Sequence, residues 1–236
     1  NQNFTTSTNA RNTAVGDAAG TAVTTGSNNT AIGQNALSSM TTGYNNTAVG
    51  SQAGSGCTAI GNTLVGAYAG DAAMTGNDNT AVGYYALSAN TGAANNVAVG
   101  ASALTANTTG SPNIAVGHSA LDANTTGYNN IAIGSDALGG QTTANGNIAI
   151  GRDALKVTTA APNIAIGHYA LDANSTATNN VAVGDLALGA NTTGSSNVAV
   201  GNNALDANTT ASSNTGIGGG ALGANTTGDY NTAIGN

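Results

Sequence analysis

The motif A-[V/I]-G returns along the entire chain at a nearly fixed interval. Its closing glycine falls at Gly16, Gly33, Gly50, Gly66, Gly83, Gly100, Gly117, Gly134, Gly151, Gly167, Gly184, Gly201, Gly218 and Gly235, with eleven of the thirteen spacings equal to 17 residues and two equal to 16. A period of this size marks a repeat architecture, in which each unit has too little apolar surface to bury alone and stacks on its neighbours. Chain length is therefore a poor guide to domain number. Residues 1–236 are read as a single repeat-array domain of about 14 rungs, with an irregular rung over 51–66 around the stretch GSGCTA.

Numbered from its asparagine, the repeat is N-[T/V/I]-A-[V/I]-G-x-x-A-L-x-A-N-T-T-G-x-x. Column 1 is Asn in all fourteen repeats: Asn12, Asn29, Asn46, Asn62, Asn79, Asn96, Asn113, Asn130, Asn147, Asn163, Asn180, Asn197, Asn214 and Asn231. Stacked at the inter-strand distance of about 4.8 Å, identical amides can hydrogen-bond up and down the stack, and only in-register β rungs make that useful. Column 4 is always Val or Ile, residues that favour a pleated sheet, and column 3 is Ala except at Leu64 and Gly216. Strand alternation then places columns 2 and 4 on one face and column 3 on the other.

The column-5 Gly ends this strand. A second short strand is predicted to carry the column-8 Ala and column 9, which is Leu in ten repeats and Gly at Gly20, Gly54 and Gly70. The N-T-T-G segment turns the chain back, with its Gly free to take a positive φ. A helical solution fails, because the apolar residues come in pairs separated by Gly and Asn and do not recur at three and four. The predicted fold is all-β, a parallel β-solenoid. Each rung would bury one Leu and one Val or Ile, too little to leave the strand's other face bare. Column 2 supplies that further face, being apolar in seven consecutive repeats at Val97, Ile114, Ile131, Ile148, Ile164, Val181 and Val198.

Composition narrows the function. Charged residues are 6% and aromatics 3% of the chain, and the net charge of -7 comes from scattered Asp. Three Lys and Arg cannot build the basic stripe that nucleic acid requires, so no nucleic-acid partner is expected. No apolar run approaches the roughly 20 residues of a membrane span, so no membrane insertion is expected within this segment. Cys57 is alone and leaves the redox compartment open. The sequence opens with NQNF, without Met or a signal peptide, and closes on NTAIGN inside a repeat, as an excerpt or processed piece would.

The segments NTAIG, NNTAVG and IAIGSDAL resemble the head repeats of trimeric autotransporter adhesins and the related repeats of phage tail-fibre proteins. The resemblance covers the whole chain, and the 17-residue period leans toward the tail-fibre type. It implies a left-handed β-roll, assembly of three rolls into a homotrimeric rod, an extracellular location on a bacterial cell surface or a virion tail fibre, and attachment as the role.

Few side chains suggest chemistry. His118 and His168 share column 6 but lie three rungs apart, too far to share a metal ion. Asp136 and Asp153, in column 7 of adjacent rungs, have Arg152 beside them and are read as a surface pair. The G-x-G-x-x-A matches at Gly54 and Gly216 lack a strand-turn-helix context. Cys57 lacks His and Asn partners. Asn107, Asn124, Asn174, Asn191, Asn208 and Asn225 form glycosylation sequons, and their repeat phase marks them as turn residues. No catalytic group, cofactor or metal is predicted. A ligand would meet the variable columns 6, 7, 10, 16 and 17, where Tyr68, Tyr84, Tyr85 and Tyr169 present amphipathic rings.

The function expected is therefore non-enzymatic attachment to an unknown cell-surface protein or glycan, with columns 2 and 4 of the central repeats as subunit interface. Two other readings are a filament subunit that joins end to end through bare β edges, and an ice-binding protein displaying the Thr ranks of columns 13 and 14. Adjacent Thr in an extended strand would face opposite ways, which argues against a flat Thr plane.

Overall fold

In a computed structural model of the chain, residues 11–235 are described; the outermost parts of the predicted array, residues 1–10 and 236, fall outside them. Each A-[V/I]-G motif forms one short strand, and the described residues contain no helix. The strands are β1 (Thr13–Val15), β2 (Thr30–Ile32), β3 (Thr47–Val49), β4 (Thr63–Val65), β5 (Thr80–Val82), β6 (Val97–Val99), β7 (Asn113–Val116), β8 (Asn130–Ile133), β9 (Ile148–Ile150), β10 (Ile164–Ile166), β11 (Val181–Val183), β12 (Val198–Val200), β13 (Thr215–Ile217) and β14 (Thr232–Ile234). The chain is an all-β parallel solenoid. It divides into two compact units, one up to His118 with β1–β7 and one from Ser119 with β8–β14.

Within each unit, consecutive strands pair in parallel with like columns opposed: Ala14 faces Ala31 in the first and Ala182 faces Ala199 in the second. The two shorter repeats keep this register, since Thr47 still pairs with Thr63 and Ile148 with Ile164. Their missing residue comes out of the return turn, which hydrogen-bonds less regularly than the strand.

The centre of each strand points inward. Column 3 is fully buried from Ala48 to Ala199, and the column-8 Ala and column-9 Leu complete the core, with Leu37, Leu87, Leu104, Leu121, Leu138, Leu155, Leu171, Leu188 and Leu205 at 0% exposure. The column-4 Val or Ile expected in this core is outside it: Val15, Ile32, Ile133, Ile166, Val200 and Ile217 are 37–50% exposed. Alternation turns the Ala inward and its two strand neighbours outward.

The predicted second strand is absent. Columns 6–11 form two successive turns, the first closed by the Ala36 N–H on the Gly33 carbonyl and the second by the Met40 N–H on the Leu37 carbonyl. Columns 7 and 9 sit in the left-handed region, with Asn35 at φ 58° and Leu37 at φ 49°. That conformation is uncommon for Leu and natural for Gly, which explains why column 9 alternates between the two. Burial of the isobutyl group, about 1.5–3 kcal/mol, offsets the backbone cost of about 1–2 kcal/mol. Where Gly takes the position, other side chains fill the space: a Cβ on Gly54 would lie 2.7 Å from Leu64 Cδ1, and one on Gly70 2.7 Å from Met74 Cε.

Column 5 is Gly for two reasons. Its φ is 124–143°, and a Cβ on Gly184 would come within 2.4 Å of the Gly201 carbonyl oxygen. The N-T-T-G glycine differs from the reading above, since Gly26, Gly43 and Gly194 do not adopt positive φ. Their need is room: a Cβ on Gly26 would meet the Gly43 carbonyl oxygen at 2.5 Å.

Two columns of buried Asn knit the rungs together. In column 1 the Oδ1 of one Asn accepts the backbone N–H of the next, as Asn180 does from Asn197 at 2.9 Å. The Nδ2 of Asn180 donates to the column-15 carbonyl of its own rung, Gly194, at 2.9 Å, whereas the buried Nδ2 of Asn96 and of Asn214 has no hydrogen-bond partner. The stack is thus chiefly side chain to backbone, unlike the amide-to-amide ladder expected; side-chain pairs such as Asn79 Nδ2 to Asn62 Oδ1 at 3.1 Å supplement it. A second column was not foreseen. Column-12 Asn90, Asn107, Asn124, Asn174, Asn191 and Asn208 are fully buried, and Asn191 Nδ2 donates at 2.9 Å to the same Gly194 carbonyl. One carbonyl oxygen with two lone pairs serves two amides.

In the first rungs, column 12 is apolar instead. Val23, Met40 and Cys57 occupy it, and Met74 fills the equivalent space one residue later. The Met40 sulfur lies 3.6 Å from Asn46 Nδ2.

Replacing Asn180 by Ala would leave the Asn197 N–H and one lone pair of the Gly194 carbonyl without protein partners. The expected cost is about 1–3 kcal/mol, read as a lower denaturation midpoint; an unchanged midpoint would show that water substitutes for the column.

Candidate functional site

With column 3 inward and columns 2 and 4 on the outer sheet face, the turn columns 6, 7 and 10 carry the chain's chemical variety. In-register stacking sets like columns one rung apart. Tyr68 and Tyr85, both in column 7, accordingly stack at 4.8 Å between ring centroids with planes 11° apart. Tyr84 in column 6 stands across them, 4.4 Å from Tyr85 at 74° and 6.2 Å from Tyr68 at 85°. Its ring is 54% exposed. The hydrogen bond to Tyr84 pushes the Tyr85 phenol up, with smaller contributions from desolvation and from the charges of its neighbours.

Tyr169, the fourth predicted ligand-face residue, belongs to the other unit and to a different cluster. The Arg152 guanidinium lies 5.0 Å over its ring centroid, and Arg152 Nη2 donates to the Tyr169 hydroxyl at 3.0 Å. Arg152 Nε donates to His168 Nε2 at 2.8 Å, and Nη2 reaches the same nitrogen. His168 must then carry its proton on Nδ1, which meets Asp185 Oδ1 at 3.2 Å. Asp153 is buried, and Lys156 Nζ reaches its Oδ1 at 2.7 Å. That carboxylate holds the Lys156 ammonium above its ordinary range. Two of the chain's three cations therefore sit in one rung, each tied to neighbouring side chains.

The remaining candidates are dispersed. His118 is exposed and belongs to the first unit, His168 to the second. Asp136 accepts from the Ser135 hydroxyl at 2.9 Å, while Asp153 is taken by Lys156, so the two carboxylates have separate partners. Among the described residues, no three His, Cys, Asp or Glu side chains gather in a way that could hold a metal ion. Cys57 is buried, and desolvation pushes its thiol up, away from the nucleophilic thiolate. The sequon amides Asn107, Asn124, Asn174, Asn191 and Asn208 face the interior; Asn225 is half-buried.

Val97 and Ile114 in the first unit, and Ile131, Ile148, Ile164, Val181 and Val198 in the second, lie on the outer strand face, each half-buried to exposed. The Thr pairs do not form a strand. They occupy a bend, with residues such as Thr24, Thr25, Thr142 and Thr143 exposed together. Column-13 hydroxyls donate to the next rung's carbonyl, as Thr192 does to Thr209 at 3.0 Å.

Column 10 holds a pattern that the sequence alone left unread. Asp122, Asp172 and Asp206 are each followed one rung later by Gly139, Gly189 and Gly223. A Cβ at those glycines would stand 3.4, 3.7 and 3.1 Å from the respective Asp Oδ1. The missing Cβ leaves room there for the carboxylate of the preceding rung. At Asp172 desolvation by burial pushes the carboxyl up, against the lowering effect of the Ala173 and Asp172 backbone N–H groups.

A carboxyl raised in the folded state favours folding below its unfolded value of 3.8, and that contribution is lost as pH rises through the higher folded value. At neutral pH Asp172 is therefore a net cost. Asp172→Asn should raise the melting temperature at pH 7, with a gain that shrinks as pH falls below the ordinary carboxylate range. Equal gains at both ends of a pH series of melting curves would assign the effect to packing. No protein-family model matches the chain, and no match was found among curated proteins.

Proposed function

We propose that this chain is a non-enzymatic extracellular attachment rod of the adhesin-head or tail-fibre type, in which three copies of a left-handed roll of 17-residue rungs pack through their outer strand faces. One observation carries the reading: the strand face turned away from the core is a stripe of Val and Ile, with Ile133, Ile166, Val200 and Ile217 still 37–38% exposed. A second apolar face on a strand already buried on its first calls for cover. The column-2 change from Thr to Val or Ile over Val97–Val198 has the same motive. Thr and Val are nearly equal in size, so the roll does not demand the change, whereas a hydroxyl buried without a partner costs about 1–3 kcal/mol.

Assembly through this face leaves the turn columns outward, where Tyr68, Tyr84, Tyr85 and Tyr169 would meet a cell-surface protein or glycan. Two sets of titratable groups in the second unit are tied internally, Arg152 to His168 and His168 to Asp185, and Asp153 to Lys156.

Light scattering of the purified chain in dilute native buffer should give three times its 22.4 kDa mass. The Ile131→Asp, Ile148→Asp double variant should shift to monomer or lose its cooperative melt. A monomeric wild type would sink the trimer, and a double variant keeping both mass and melting temperature would move the interface elsewhere. Long fibres of rung-spaced density in electron micrographs would favour the filament reading.

A further inference from the structure

Three of the chain's seven Tyr meet in one contact cluster, Tyr68, Tyr84 and Tyr85. Neither the core nor the strand face requires them. Columns 6 and 7 of adjoining rungs hold only small or polar residues: Ser51 and Gln52 before the cluster, Ala67 beside Tyr68, Ala101 and Ser102 after it. The rings therefore stand above their surroundings. Tyr68 and Tyr85 stack on each other and hide their shared faces, whereas Tyr84 stands nearly perpendicular to both. The result is a corner, in which the exposed Tyr84 stands at a steep angle to the Tyr68–Tyr85 stack and a hydrogen bond joins its side chain to that of Tyr85.

Charge limits what this corner can hold. Arg11 is the only Lys or Arg among the described residues of the first unit. Asp71 is close enough to raise the Tyr85 phenol through its charge. A phosphate, sulfate or carboxylate would meet one negative group and no cation, and so would an anionic membrane or a nucleic acid. A neutral ligand with an apolar face and several hydroxyls fits both halves of the corner: the face packs on Tyr84, and the hydroxyls exchange hydrogen bonds with the phenols and the Asp71 carboxylate.

We infer that Tyr84, flanked by the Tyr68–Tyr85 stack, is a binding platform for neutral pyranose sugars. The inference rests on the attachment reading and names its ligand class. Each platform binds weakly, through one exposed ring and a few hydrogen bonds, and three copies on one rod raise the avidity without new contacts.

Saturation-transfer NMR on the native assembled chain tests it with methyl β-glucopyranoside, methyl β-galactopyranoside and N-acetylglucosamine as neutral probes, and galacturonate as the acidic one. At least one neutral probe should receive transfer through its ring C–H protons, and galacturonate should receive at least fivefold less. Tyr84→Ala should cut the signal at least fivefold with an unchanged melting curve, while Tyr84→Phe should keep at least half. Equal transfer to Tyr84→Ala, or a preference for galacturonate, overturns the platform. Attachment of labelled chain to cells or isolated envelopes separates the two levels. If attachment depends on Tyr84 but no neutral probe receives transfer, the sugar class is wrong and the attachment reading stands. If the chain neither attaches nor receives transfer, both fall.

Discussion

The fold depends on one carbonyl oxygen per rung. In several rungs that carry both asparagines, the column-15 carbonyl accepts the Nδ2 of columns 1 and 12, as Ala211 does from Asn197 at 2.8 Å and Asn208 at 3.0 Å, whereas the buried Nδ2 of Asn96 and of Asn214 is left without a partner. The Oδ1 of column 1 then reaches the next rung's backbone. A single side chain so closes its own turn and joins the following one, satisfying in the interior polar groups that a three-residue strand leaves over. Buried amides are costly when unpaired, so this network also enforces register: a slip by one residue would strand the whole column.

That arrangement explains how so little apolar surface can hold a stack together. The interior receives one Leu and two Ala per rung in the regular repeats, and the backbone is kept close by Gly184 and its counterparts, whose missing Cβ admits the next rung's carbonyl. The first rungs use a different filling, with Val23, Met40, Cys57 and Met74 in place of the second Asn column. Both fillings support the same strand register, because column 1 continues through each of them.

Once the core and register are set by columns 1, 3, 5, 8, 9 and 12, the remaining columns are free to vary. Chemistry has collected there. The Tyr84 corner and the Arg152–His168–Asp185 chain each use side chains from successive rungs, which stacking brings together although they are 16 or 17 residues apart. The parallel array thus turns a sequence period into a surface on which neighbouring residues can be chosen independently of the fold.

Much of this was legible in the residues. The period, the parallel in-register sheet, the opposition of column 3 to columns 2 and 4, and the structural place of column 1 follow from alternation and from the fact that only stacked identical units benefit from an unvarying column. Tyr68 and Tyr85 could be placed on adjacent rungs by counting alone. Three matters required the tertiary structure. Column 9 reads as strand, although its exchange between Leu and Gly is a visible sign of positive φ; only the backbone shows that Leu37 is there by virtue of burial. Column 12 reads as turn, because Asn-Thr-Thr-Gly has the same composition whether its amide faces water or the Gly194 carbonyl. The side of the strand that holds Val and Ile was visible as a face, but whether that face lies inside the roll depends on how the turns close. Sequence determines which residues are equivalent, since repetition is a property of order along the chain. Which of them face inward is decided by the path of the backbone between strands, and that path is set by hydrogen bonds from one rung to the next.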